Sequence, residues 1–365
     1  MAEVIATLES GWLTTGPRVA AFERAFAEYT DARYAIALNS CTAALHLSLL
    51  ASRVRAGDEV VTTPLTFCAT ANTIVHCGAR PVFVDVDPAT FNIDPTATAA
   101  AITPRTRALL PVHFAGRPVD VRAFQTLARR NGLRLIEDAA HCVEGVADGR
   151  KIGATADFTC FSFYATKNLT TGEGGMVTTS DEQAATFIRT ASLHGMSRDA
   201  WMRYAPGARS DYDVVMPGFK YNMMDIQAAI GLHQLAALEE RLAQREAIWA
   251  AYDAAFAGLP LHLPAPARDG DRHARHLYTV LVDERVAGVS RDELQLRLAA
   301  RGISTSVHFR ALHLHPYYQE RFGYTRGMFP VAEAISDTTL SLPLSPAMSP
   351  DTVARVIEAV HDSLL

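Results

Sequence analysis

The chain has 365 residues, 49% hydrophobic and 20% charged, and its 34 Lys and Arg against 39 Asp and Glu give a formal net charge of −5. That length suits about two domains at roughly 150 residues each, and the balance excludes a disordered chain. No broad basic field is present to hold nucleic acid or an anionic lipid surface.

The opening MAEVIATLESGW has no basic run and no cleavage signal, so no secretory signal peptide is expected. Within 18–29, Val19, Phe22, Phe26 and Tyr29 fall at helical spacing. Ser40 is placed to cap a helix that begins CTAALHLSLL. Gly57 and Asp58 turn the chain into a short strand, EVVTT; Thr66 is placed to cap the next helix and Gly78 to stop it. The uncharged stretch 60–79 contains Pro64, Asn72 and His76 and reads as buried strand and helix, not as a membrane span. PVFVDVD (81–87) and ALLPVHF (108–114) read as buried strands, and 118–131 as a helix stopped by Gly132. LRLIED (133–138), DFTCFSF (157–163) and MVTT (176–179) are further strands. This alternation predicts a mainly parallel sheet covered by helices on both faces.

After Asp225 one long helical pattern runs to about Phe256 through Ile226, Ile230, Leu235, Leu238, Leu242, Trp249 and Tyr252. LPAPARDGDR (263–272), rich in proline, glycine and charge, marks a boundary. Beyond it LYTVLVD (277–283) and ISTSVHF (303–309) read as strands, Ser290 with Glu293 as a capping box, and Ser349-Pro350 as the start of the last helix. The expected organisation is a large α/β domain over 1–262 and a smaller α+β domain over 263–365. Five scattered cysteines (Cys41, Cys68, Cys77, Cys142, Cys160) without a CxxC pair suit a reducing cytoplasm and neither a disulfide nor a zinc framework.

Three stretches carry chemistry. In NSCTAAL (39–45), Cys41, Thr42 and Ala43 sit where the free amides of a helix N-terminus meet an anion such as phosphate, or where an ordinary helix is simply capped. In LIEDAAH (135–141), Asp138 ends a strand, where open α/β sheets place their ligands; the plainer reading is a charge that caps the following turn. In FSFYATKNLTTGEGGM (161–176), an apolar strand leads through Ser162 to Lys167, which alone reads as a solvated lysine. GEGG does not satisfy GxGxxG, which disfavours a nicotinamide-binding oxidoreductase. Together the three supply what pyridoxal phosphate (PLP) requires: a phosphate cradle, a carboxylate for the ring nitrogen and a lysine for the Schiff base. Phe67 offers a face for ring stacking, or else packs in the core.

In chain order, WLTTGPRVAAFERAFAEY, ALNSCTAALHLSLL, PLTFCATAN, PVFVDVDPATFNIDP, EDAAHCVEG, FSFYATKNLTTGEGGM, KYNMMDIQAAIGLHQL and SLPLSPAM resemble successive blocks of the DegT/DnrJ/StrS family of PLP-dependent sugar aminotransferases. The resemblance covers nearly the whole chain and implies the fold-type-I transferase architecture in a homodimer with shared active sites. It implies that Lys167 is the Schiff-base lysine and that Asp138 pairs with the pyridine nitrogen, with His141 near the phenolic oxygen. It places Thr42, the neighbouring amide of Ala43 and Ser162 at the phosphate, next to Cys41 at the same helix N-terminus, puts Phe67 on the ring, and has Asn222 reach the partner subunit's cofactor. Lys220 stands where many relatives have asparagine, and the chain begins close to the block SGWLTTGP, ahead of which relatives usually carry a leader.

The implied reaction moves an amino group from L-glutamate to a keto-sugar, first a nucleotide-diphosphate-linked 3- or 4-keto-hexose, by ping-pong kinetics, with pyridoxamine phosphate as the intermediate form. A keto-cyclitol acceptor and a non-catalytic partner subunit on the same fold are the alternatives. Dehydratase relatives carry histidine in place of the lysine, so Lys167 favours transamination. His308 and Tyr317 are expected on the substrate side. His313 and His315 lie close by, but no cysteine or carboxylate completes a metal set there, and no metal is expected. Arg198, Arg203 and Arg209 offer guanidinium groups to a diphosphate, or belong to a solvated loop.

Overall fold

The computed structural model describes residues 1–196 and 212–364; Arg198, Arg203 and Arg209 lie outside the described residues. A seven-stranded sheet runs in the spatial order Tyr34–Leu38, Gly175–Thr179, Phe158–Ser162, Arg134–Asp138, Thr106–Leu110, Glu59–Thr62, Arg80–Phe83. The five strands from Phe158–Ser162 to Arg80–Phe83 pair in parallel, and Gly175–Thr179 is antiparallel to both its neighbours. The mainly parallel sheet expected from the helix–strand rhythm is therefore present.

Its apolar runs are explained by burial on both faces. Because side chains alternate along a strand, Val61, Leu109 and Leu135 enter one apolar cluster while Val60, Leu110 and Ile136 enter the other. Phe22 and Phe26 of helix Pro17–Tyr29 and Phe124 of helix Val121–Asn131 close the first. Leu45, Leu47 and Leu49 of helix Cys41–Ala51 and Ile188 of helix Glu182–Ser192 close the second. Thr62, Leu110, Asp138 and Ser162 consequently end parallel strands along one edge of the sheet.

A second, antiparallel sheet of three strands (Leu261–His262, Tyr278–Val282, Thr339–Leu342) has its own core, with Trp249, Tyr252, Leu294, Leu298, Val356 and Val360. A further cluster ties it to the main sheet, setting Leu65, Phe83 and Phe114 against Leu312, Tyr318 and Phe329. Among the described residues no helix is long and apolar enough to cross a membrane.

Several boundaries differ from the expected ones for local reasons. The long helical pattern divides into Asp225–Ala236 and Leu238–Phe256 at Ala237. Leu238 belongs to the main core and Ile248 onward to the smaller one, so the chain re-aims between two cores. The strand expected over 81–87 stops at Phe83, because the carboxylate of Asp85 caps another helix by accepting from Val331 and Ala332 amides at 2.9 and 2.8 Å. The strand expected over 108–114 ends at Leu110, before Pro111, which has no amide to donate. The segment 303–309 is not a strand; only Ser306 pairs, with Ser341. Thr66 does not cap Cys68–His76, since its hydroxyl is 2.9 Å from that of Thr70. Ser40, Gly132 and Ser290 act at the helix ends as expected.

Gly175 sits where the sheet meets the N-terminus of helix Cys41–Ala51: a Cβ there would lie 2.4 Å from the Ser40 carbonyl carbon and 2.6 Å from the Cys41 nitrogen. Both neighbours are backbone and cannot rotate away. Gly175→Ala is therefore expected to destabilise the fold by about 3 kcal/mol, read as a lowered urea midpoint; an unchanged midpoint would contradict this close approach.

Candidate active site

The strand-end edge of the main sheet and the smaller sheet enclose a cavity of about 790 Å³. Cys41, Thr42, Phe67, Asp138, His141, Ser162, Lys167 and His308 all line it. Asp138 is the last residue of its strand, and its carboxylate accepts from the Thr70 hydroxyl at 2.8 Å and the Ala140 amide at 3.1 Å. Burial pushes this carboxyl up, opposed by those two hydrogen bonds and by the charges of Lys167 and His113. Lys167 lies in the turn after strand Phe158–Ser162, its amide bonded to the Tyr164 carbonyl at 2.9 Å. Burial pushes its ammonium down, opposed by Cys41 and Asp138. The cavity therefore makes the ammonium of Lys167 easier to deprotonate than a solvated lysine.

Three imidazoles share the space. His141 is buried, its Nδ1 has no hydrogen-bond partner, and its ring lies 4.4 Å from that of His276 and 6.0 Å from Phe309. Burial, then the charge of Lys167, holds His141 well below the ordinary histidine range. His308 places Nδ1 2.8 Å from the Ser341 hydroxyl, and burial with Lys167 pushes it down to about 4.

Another part of the lining is polar. Helix Cys41–Ala51 begins there, with Ser40 Oγ accepting from the Ala43 amide at 3.1 Å. The amides of Cys41 and Thr42 precede the first intrahelical bond, which is the arrangement that receives an anion. The hydroxyls of Thr42 and Ser162 flank them in the lining. Phe67 is 59% exposed, a high value for a phenyl ring, and stands 6.3 Å from the ring of Phe309.

Other expected residues lie elsewhere. Ala43 is buried behind the cradle with its amide already bound to Ser40. Asn222 is outside its own chain's cavity and donates to Thr15 Oγ1 at 2.8 Å. Tyr317 is 48% exposed and rests edge-on against Tyr318, away from the cavity lining. His313 is buried against Glu333 at 2.8 Å, and His315 precedes helix Pro316–Phe322. No cluster of three or more candidate metal ligands occurs among the described residues.

Thr70, His276, Phe309 and Ser341 line the cavity without having been singled out. Thr70 was legible in part, because it falls one helical turn after Thr66 in the same TFCATAN block. Ser341 opens the SLPLSPAM block and Phe309 ends the stretch ISTSVHF, though neither pattern marks them as cavity lining, and no motif contains His276.

Residues 1–361 match the DegT/DnrJ/EryC1/StrS aminotransferase family. The chain is 53% identical over 361 residues to the spore coat polysaccharide biosynthesis protein SpsC of Bacillus subtilis, covering 99% of this chain and 93% of that one. Among solved structures it superposes on the putative sugar aminotransferase Spr1654 from Streptococcus pneumoniae in its PMP form, with a TM-score of 0.93 and 34% identity, covering 99% of this chain and 95% of that one. It likewise matches S. venezuelae DesV in complex with a ketimine intermediate, with a TM-score of 0.90 and 36% identity over 99% and 93% of the two chains. The implied cofactor is PLP, and the lining fits it. Hydroxyls and free amides suit a phosphate, the buried carboxylate calls for a cation, burial eases deprotonation of the amine, and an exposed phenyl ring offers a stacking face.

The depressed pKa of His308 has a consequence for stability. Between about 6.5 and about 4 the unfolded chain binds a proton at this residue that the folded chain refuses. Stability is therefore unaffected above that window and falls as pH drops through it, by up to about 3 kcal/mol from His308 alone. His308→Gln is expected to make the pH dependence of the unfolding free energy shallower by about one proton in this range; an unchanged slope would show that His308 does not resist protonation.

Proposed function

The chain belongs to the DegT/DnrJ/EryC1/StrS aminotransferase family and is a PLP-dependent sugar aminotransferase, and from that premise we propose that it moves an amino group from L-glutamate to a nucleotide-diphosphate-linked 3- or 4-keto-hexose. The observation that carries the reading is the convergence of Lys167, Asp138 and the free end of helix Cys41–Ala51 on one cavity. The polysaccharide role in the name of SpsC supports a sugar acceptor destined for a polymer.

The bound cofactor supplies a carbon that takes the amino group and a cationic ring that accepts the electron pair released at the donor's Cα. Lys167 Nζ would hold the cofactor covalently and, when free, would carry the proton of the donor's Cα, as base and then as acid. A neutral Nζ is needed for that, and burial shifts the lysine in that direction. Asp138 would hold the ring nitrogen, and Thr70 and Ala140 hold Asp138. The amides of Cys41 and Thr42 and the hydroxyls of Thr42 and Ser162 would receive the phosphate, Phe67 would cover the ring, and His141 would serve its phenolic oxygen. His308 faces the substrate. Donor and acceptor use the same cavity in turn, which makes the kinetics ping-pong.

Asn222 lies outside its own chain's cavity, on the bridge to Leu38. In a homodimer with shared sites it serves the partner's phosphate.

With PLP supplied, the protein is expected to show a yellow absorbance band that bleaches on addition of L-glutamate and returns with the keto-hexose acceptor. Lys167→Ala is expected to abolish turnover. Substantial transamination by that variant would overturn the assignment, and restoration of the band by a keto-cyclitol alone would move the acceptor to that class.

A further inference from the structure

We propose that His276 is a positioning residue of this reaction: the buried chain Arg245–Glu144–Asn168 fixes it as the Nδ1–H tautomer, and its ring fixes His141 in the cavity. The hydrogen bonds determine the tautomer. Asn168, the residue after Lys167, donates its side-chain amide to Glu144 Oε2 at 2.8 Å and to the Ala274 carbonyl at 2.8 Å. Both partners are acceptors. A peptide carbonyl never donates, and a neutral Glu144 would leave the buried charge of Arg245, bonded to Glu144 Oε1, without its counter-ion. The amide nitrogen of Asn168 is thereby identified by its partners, and its oxygen faces His276 Nδ1 at 2.9 Å. An amide oxygen only accepts, so the proton sits on Nδ1.

Burial pushes His276 well below the ordinary histidine range, with the charge of Lys167 adding to it. Its ring is then neutral, with a bare Nε2. It lies 4.4 Å from the ring of His141, whose own Nδ1 has no partner in the chain. No hydrogen bond from its own chain fixes the orientation of His141 at Nδ1, so ring contacts with His276 and Phe309 hold it. Because Asn168 adjoins Lys167, the same amide ties the lysine's turn to both imidazoles. The role of His141 in catalysis rests on the aminotransferase reading; the tautomer of His276 does not.

The test uses the full chain, 15N-labelled at histidine and free of cofactor, with long-range 1H–15N correlations assigning ring protonation. His276, identified as the signal lost in His276→Asn, is expected to show a protonated Nδ1 and a bare Nε2. In that variant the His141 signal is expected to shift or double. With PLP and substrates, kcat is expected to fall by about tenfold or more while the KM for L-glutamate changes less than twofold. A protonated Nε2 or a cationic ring in the wild type would overturn the proposal without any variant being needed. So would an unchanged His141 signal in His276→Asn. Failure of the aminotransferase reading would show separately, as no PLP binding with the tautomer result intact.

Discussion

A carboxylate and an amine drawn out of water into the same cavity place the heaviest demand on this structure. Desolvation moves Asp138 and Lys167 toward their neutral forms from opposite sides. An ion buried without support is penalised by several kcal/mol, so the surroundings of Asp138 are specified in detail: a threonine hydroxyl, a backbone amide and a strand end that leaves no freedom of placement. Lys167 is given less support. Burial lowers the pKa of its amine, which suits the bond-forming and proton-carrying role proposed for it.

The fold meets these demands by division of labour. Parallel strands buried on both faces bring their ends to one edge, and a helix N-terminus opens onto it. The smaller sheet contributes the facing wall, where Ser341 holds His308. The cluster around Phe83, Phe114, Leu312 and Phe329 locks that wall to the main sheet. Shape therefore comes from apolar packing, while the chemistry comes from a few polar groups at the edges of that packing.

What could be read from the sequence follows the same division. The residues on regular elements were legible: Asp138 at a strand end, Ser40 at a helix cap, Lys167 in the turn after an apolar strand. Local pattern and family block both announce Asp138 and Ser40, whereas Lys167, which alone reads as a solvated lysine, is announced by its family block. Groups that depend on contact between distant segments were not. His276 acquires its meaning only from Asn168, more than a hundred residues earlier in the chain. Tyr317 was expected beside the substrate, yet the neighbouring Tyr318 is the one anchored, to Asn72 at 2.7 Å, and it faces the core. The stretch 303–309 has the alternation of a strand, but most of it faces the cavity and only Ser306 makes a ladder bond. The long helix after Asp225 reads as continuous because periodicity does not reveal that its two halves serve different cores.

The chain contains only three lysines, Lys151, Lys167 and Lys220, which makes the central claim open to a direct measurement. Lys151 is paired with Glu239 and lies over the ring of Tyr29, outside the cavity. Borohydride reduction of the PLP-loaded protein, followed by digestion and peptide mass mapping, locates the covalent attachment. The account predicts a single modified peptide that carries Lys167. Attachment at Lys151 or Lys220, or no attachment despite bound cofactor, would contradict it.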